Sequence, residues 1–182
     1  MAEKVIQYLV MTGCMDLVVV PLEEKDVQEA IGILKEAWNH SYETWEKGYY
    51  PREGHEFDMS QNTAENFQRL IDEQHGFFFV AKIDGIIAGG IRGHIYGDSG
   101  YGMIGNIAVH PDYQRKGCGQ ALMEKALAHL SEKKCHKVSL HTFPVLVPAI
   151  NLYLKMGFVP EAYMAKQWWG CDFIFMSKWL DK

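Results

Sequence analysis

The chain has 182 residues, 48% hydrophobic and 23% charged, with 23 acidic against 18 basic side chains and a formal net charge of -5. That length suits one soluble domain with a sizeable core, and the acidic balance excludes the broad basic face of a nucleic-acid binder. No apolar run reaches the length of a membrane span. The four cysteines, Cys14, Cys118, Cys135 and Cys171, form no CxxC pair and suit no zinc or other metal site, so inert thiols in a reducing cytoplasm are expected.

Residues 1–15 contain one short apolar run, Val5 to Met11, interrupted by Gln7 and without a signal-peptide cleavage pattern. They read as an N-terminal extension, either an extra strand or helix or an ill-ordered leader, ahead of a domain over 16–182. Leu17 to Val20 is a buried strand that Pro21 ends. Asp26 and Glu29 have the spacing of a capping box, and Val27, Ala30, Ile31, Leu34 and Trp38 mark one face of the helix that follows. Asn39 to Ser60 is polar and aromatic, and its Gly and Pro argue against one continuous helix. Ala64, Phe67, Leu70 and Ile71 predict a second amphipathic helix.

Phe77 to Tyr96 reads as a hairpin turned at Asp84-Gly85, because Gly accepts the positive φ of a two-residue turn. A turn over Gly97 to Gly100 leads into the strand Tyr101 to Val109. Met123, Ala126, Leu127 and Leu130 then share a helix face, and Lys137 to Thr142 is a strand. A strand, a helix and a strand predict a parallel crossover. Pro148 and Gly157 bracket a short helix, and Cys171 to Trp179 is a closing strand. The sum is a mixed α/β sheet.

The junction between strand and helix, Val109 to Leu130, carries the strongest chemical signal. Gly117 and Gly119 lower stability unless the backbone needs them, and Arg115 and Lys116 at a helix N-terminus oppose the macrodipole. An anion offsets both costs. Unpaired amides at a helix start, converging on a glycine turn, form a phosphate cradle. The nucleotide P-loop ending Gly-Lys-Ser/Thr is missing, and Leu122 stands where a dinucleotide fingerprint has its third glycine.

The run IAVHPDYQRKGCGQALM resembles the acetyl-coenzyme A signature of the GNAT superfamily of N-acetyltransferases, Gln/Arg-x-x-Gly-x-Gly/Ala after a strand. The run AINLYLKMGF, Ala149 to Phe158, resembles the second signature of the same superfamily, in the expected order. The resemblance spans about Leu17 to Leu180. It implies a single acetyltransferase domain over 16–182: a mixed, mostly antiparallel sheet with a splayed parallel central strand pair, flanked by helices. It also implies acetyl-CoA as acyl donor, with no metal. Backbone groups of Ile107, Ala108 and Val109 would meet the pantetheine arm and the thioester. Gln114 opens the signature, and the amides of Arg115, Lys116, Gly117, Cys118, Gly119 and Gln120 would hold the pyrophosphate. Cys118 lies inside that turn, where a helix start favours a thiolate; the competing and favoured reading is the inert, buried thiol expected of all four cysteines.

Transfer to an amine needs a base for the amine, a donor for the developing oxyanion and an acid for the departing thiolate. Tyr153 matches the tyrosine of the second signature and is the expected general acid. The strand Tyr101 to Val109 carries no carboxylate, and Asn106 is no base. In the branch that acetylates protein N-termini a Glu lies on the later strand; His141 holds that place here and is the expected base. Leu146 replaces the Asn that relatives often carry before the helix, and His110 is read as structural. Trp38, Tyr42, Trp45, Tyr49 and Tyr50, with Glu43, Glu46, Glu53 and Glu56, read as an aromatic and acidic wall for a cationic amine. Trp168 and Trp169 line the same cavity or form a homodimer contact. The expected activity is acetyl transfer to a primary amine of a small molecule or peptide by direct attack. The alternatives are a longer acyl donor or a non-catalytic acyl-CoA binder or sensor. No nucleic-acid or membrane partner is expected.

Overall fold

The computed structural model describes residues 7–9 and 16–180. Of the N-terminal extension only Gln7–Leu9 is described, as a strand; the expectation for the Cys14 thiol lies outside the described residues. Eight strands form one sheet in the order β1-β2-β3-β4-β5-β6-β8-β7. They are β1 (Gln7–Leu9), β2 (Asp16–Pro21), β3 (Gly76–Ile83), β4 (Ile86–Ile95), β5 (Tyr101–Val109), β6 (Lys137–Thr142), β7 (Val159–Met164) and β8 (Phe173–Trp179). Every neighbouring pair is antiparallel except β5 with β6. Five α-helices flank it: α1 (Val27–Ser41), α2 (Arg52–Ser60), α3 (Ala64–Asp72), α4 (Cys118–Glu132) and α5 (Val147–Lys155). Among the described residues no helix is long and apolar enough to cross a membrane.

Both sheet faces are covered. Leu122, Met123, Ala126 and Leu130 of α4, with Tyr153 of α5, pack on one face against Phe77, Phe79, Ile91 and Val138. Val27, Ala30 and Leu34 of α1 and Phe67 of α3 pack on the other against Phe78, Val80 and Ile87. Each fully buried Val, Leu, Ile, Phe or Met side chain among them contributes about 1.5–3 kcal/mol. The hairpin turns at Asp84 (φ 51) and Gly85 (φ 84), as its sequence predicts.

The central pair is joined for only three residues a side: Tyr101 with Lys137, Gly102 with Val138 and Met103 with Ser139. Beyond Met103 the two strands separate, and the Ile104–Val109 edge facing β6 has no strand partner. On its other side β5 stays paired with β4, but the register slips so that Arg92 opposes Asn106 and Gly93 opposes Ile104. The extra residue, Gly105, is a β-bulge, which bends and over-twists its strand. The bend falls where the ladder with β6 ends.

Two local features depart from the sequence expectation. Asp26 does not cap α1: its carboxylate pairs with Lys82 Nζ at 2.7 Å, while Glu29 accepts from the amide of Ile87 at 3.3 Å. Tertiary partners outcompete the local box. Asn39 to Ser60 is broken as its Gly and Pro imply, into the end of α1, a π-helical turn over Tyr42–Glu46 and α2 after Pro51. Strand β7 was not foreseen, because an edge strand with five exposed residues in six shows no apolar alternation.

Candidate active site

The β5–α4 junction is shaped by two left-handed residues, Arg115 (φ 60) and Gly117 (φ 88). Gly117 is the N-cap of α4, and the first turn of the helix closes from the Ala121 amide to the Gly117 carbonyl at 3.0 Å. The amides of Cys118, Gly119 and Gln120 therefore have no acceptor within the helix. They open on a groove of about 440 Å3, lined by Val109, Gln114, Arg115, Gly119, Ala149 and Leu152. A Cβ on Gly119 would come within 3.3 Å of Leu152, so only a bare backbone leaves this room. A glycine turn, unpaired amides and Arg115 on the wall fit a pyrophosphate.

Side chains of the signature have other tasks. The Gln114 amide donates to the Val109 carbonyl at 3.2 Å, which occupies one of its two acceptor sites and pins the strand end. Lys116 stands 5.3 Å over the Tyr113 ring and does not line the groove. Gln120 turns to Glu124. His110 accepts from the Asp112 amide and meets Glu36 at 2.9 Å, a structural role. Cys118 follows the inert alternative rather than the thiolate one. Its side chain points into the core, 1% exposed, and burial pushes its thiol up rather than towards the thiolate; desolvation outweighs the helix start.

A second cavity of about 480 Å3 adjoins the groove. Trp38, Ser41, Ile107, Leu146 and Tyr153 line both, so the two spaces meet at the separated part of β5. His141 and Tyr153 thus share one chamber. Tyr153 is buried among apolar groups, which raises its phenol above the ordinary value and keeps it protonated. His141 lies against Trp168 (5.1 Å) and Phe173 (5.4 Å). Burial lowers its pKa, with Asp58 opposing the shift weakly, so the ring is neutral at pH 7. Its Nδ1 is buried without a hydrogen-bond partner.

The expected aromatic and acidic wall is only partly there. Tyr50, Glu46, Trp168 and Trp169 line the chamber; Trp45 lines the groove instead. Tyr42 packs on His55 at 4.2 Å, and Tyr49 donates to the Asp172 carbonyl. Glu43 and Glu56 pair with Lys47 and Arg52 at the surface, and Glu53 does not line the chamber.

A family model described as the Acetyltransferase (GNAT) family matches residues 33–158. The chain belongs to the GNAT family. The match runs from inside α1 to the residue before β7, and so contains Trp38, the signature turn, His141 and Tyr153. This GNAT chain is 34% identical over 103 residues to an N-alpha-acetyltransferase of Sulfurisphaera tokodaii, covering 50% of this chain and 62% of that one. It is 27% identical over 124 residues to streptothricin acetyltransferase A of Bacillus subtilis, covering 67% and 65%. The matched stretches thus span less than two thirds of these relatives. Its fold is similar to that of the PaiA N-acetyltransferase of Thermoplasma acidophilum in complex with coenzyme A, with TM-score 0.74 and 21% identity over 90% of this chain and 99% of that one.

Sequence reasoning missed several residues of this GNAT chamber: Arg92, Asp58, His55, Asn62 and Thr142. Arg92 sits in a strand of apolar and glycine residues, and a lone cation in an apolar strand was the available signal. Asp58 lies on α2 and Asn62 follows it, in a polar segment whose Gly and Pro break any single helical period that could have marked a face.

Proposed function

We propose that the chain transfers the acetyl group of acetyl-CoA to a primary amine of a small molecule or peptide by direct attack. The observation that carries this reading is the junction of two cavities at Ile107 and Tyr153, one opening on a phosphate-type amide turn and the other on titratable groups. The coenzyme A complex of a protein with this fold supports the donor, and the acetyltransferase names of the relatives support the reaction. A non-catalytic binder has no use for the second chamber. The free, buried thiols of Cys118, Cys135 and Cys171 support a reducing, cytoplasmic setting.

Acetyl-CoA supplies the activated carbonyl and the thiolate leaving group. The amides from Arg115 to Gln120 hold its pyrophosphate, and the unpaired edge at Ile107 and Ala108 takes its extended arm as an added strand. His141, neutral at pH 7, accepts the proton that the amine loses as its nitrogen bonds to the carbonyl carbon. An amide of Ile107 or Ala108 donates to the charge that develops on the carbonyl oxygen. Tyr153 gives its proton to sulfur as the carbon–sulfur bond breaks.

Thiol release from acetyl-CoA, measured over an amine panel, tests the reading. Acceptor-dependent release, with acetyl-CoA binding seen by calorimetry, is expected. Binding with no release for any amine would leave only the binder, and no binding would remove the donor assignment.

A further inference from the structure

The chamber holds a cation that no acid neutralises at contact distance. Arg92 on β4 has its guanidinium 5.6 Å from the Trp38 ring centroid and 5.4 Å from that of Phe67. Those rings attract the charge but accept none of its five N–H donors through a lone pair. Among the described residues no carboxylate makes a salt bridge to it. Asp58, the acid whose charge it feels, already accepts from the Tyr50 hydroxyl at 2.8 Å. Burial pushes the guanidinium down to about 10, which still leaves it charged at pH 7. A half-buried guanidinium that lines the chamber and has no protein carboxylate at salt-bridge distance is free to make charge-assisted hydrogen bonds to a ligand anion.

Two further groups point the same way. Thr142 and Asn62 both line the chamber and are 3% exposed, and Thr142 Oγ1 and Asn62 Oδ1 have no hydrogen-bond partner. The Asn62 amide nitrogen donates to the Asp58 carbonyl at 2.8 Å, which fixes its oxygen as the free acceptor. The hydroxyl is a spare donor for an oxyanion and the amide oxygen a spare acceptor for an ammonium. Glu46 and Asp58 add negative charge elsewhere on the wall, both with carboxyls raised by desolvation.

We infer that the acceptor is a small zwitterion, an amine that carries its own carboxylate in the manner of a free amino acid, with Arg92 and Thr142 taking the carboxylate and Asn62 and Asp58 orienting the amine. This rests on the transferase reading above. It narrows the expected cationic amine to one that carries an anion as well, because a polyamine would set a second cation against Arg92.

The test compares free amino acids with their carboxamides, and with spermidine, as acceptors of wild type, Arg92→Gln and Arg92→Lys, alongside calorimetry of acetyl-CoA. Acids should exceed their carboxamides by about 10- to 100-fold in kcat/KM, the scale of charge-assisted hydrogen bonds. Arg92→Gln should raise the KM for acids by a similar factor and leave that for carboxamides within about threefold, with Arg92→Lys recovering part of the loss. Carboxamides or spermidine used as well as acids would overturn the inference while the transferase reading stands, as would an Arg92→Gln loss equal for both acceptor types. Failure to bind acetyl-CoA would remove both. Should Arg92→Gln not fold, the wild-type acid and carboxamide rates decide alone.

Discussion

The Trp38 indole N–H donates to the Asn106 side-chain oxygen at 2.7 Å. This bond ties α1 to β5 one residue beyond the bulge, and so fixes the wall common to groove and chamber. Asn106→Leu leaves a half-buried donor unpaired and should destabilise by about 1–3 kcal/mol. Trp38→Phe in that background should recover part of it. A double-mutant cycle by urea unfolding reads the coupling; strictly additive losses would show the bond to be idle.

Tyr153→Phe removes one oxygen and little packing volume. Turnover should fall by about a hundred- to ten-thousandfold, with the KM for acetyl-CoA nearly retained. Because burial holds the phenol protonated, no alkaline limb from Tyr153 should appear in the wild-type profile below pH 10. Wild-type turnover in the variant would assign sulfur protonation to water.

His141 has a folded pKa below the ordinary imidazole value of 6.5, owing to burial. As a base it is therefore competent down through pH 6.5, and its acidic limb should lie below that value. The same shift has a stability sign. Below pH 6.5 the unfolded chain binds a proton that the native ring resists, so this histidine weakens the fold as pH falls. His141→Gln should slow turnover, erase the limb and flatten acid destabilisation in that window. Two acceptors of different pKa separate the limb from titration of the amine; a limb that tracks only the acceptor would exclude His141.

Gly117→Glu places a carboxylate beside the amide turn at a left-handed position. Gly117→Asn supplies the backbone control, since Asn tolerates positive φ. Glutamate should weaken acetyl-CoA binding by more than about tenfold relative to asparagine, the scale of one uncompensated charge. Equal affinities in calorimetry would move the pyrophosphate elsewhere.

Much of this was legible because its signals are local. Asp84-Gly85, the Val109 to Leu130 junction and the Pro148 to Gly157 helix each carry their own punctuation. What escaped depends on contacts distant in sequence. Asp26 caps nothing because Lys82 reaches it from β3. The choice between a thiolate and an inert Cys118 was settled only by α4, which turns that side chain into the core. Arg92 gains its meaning only from Trp38 and Phe67 packing against it from two helices. Chemistry-bearing residues were readable where a motif holds them, and hidden where tertiary burial alone gives them a role.

The three-residue ladder between β5 and β6 leaves an unpaired strand edge at the middle of the sheet rather than at its rim. Rim edges template aggregation and need charged or proline guards. This one is walled by Ala37 and Trp38 of α1 and by Ala149 and Leu152 of α5. The opening admits a thin extended molecule more readily than another polypeptide sheet. The amides along that edge are consequently the ones whose hydrogen exchange should slow most when such a molecule settles beside them, completing in the bound state a sheet that the chain by itself leaves unfinished.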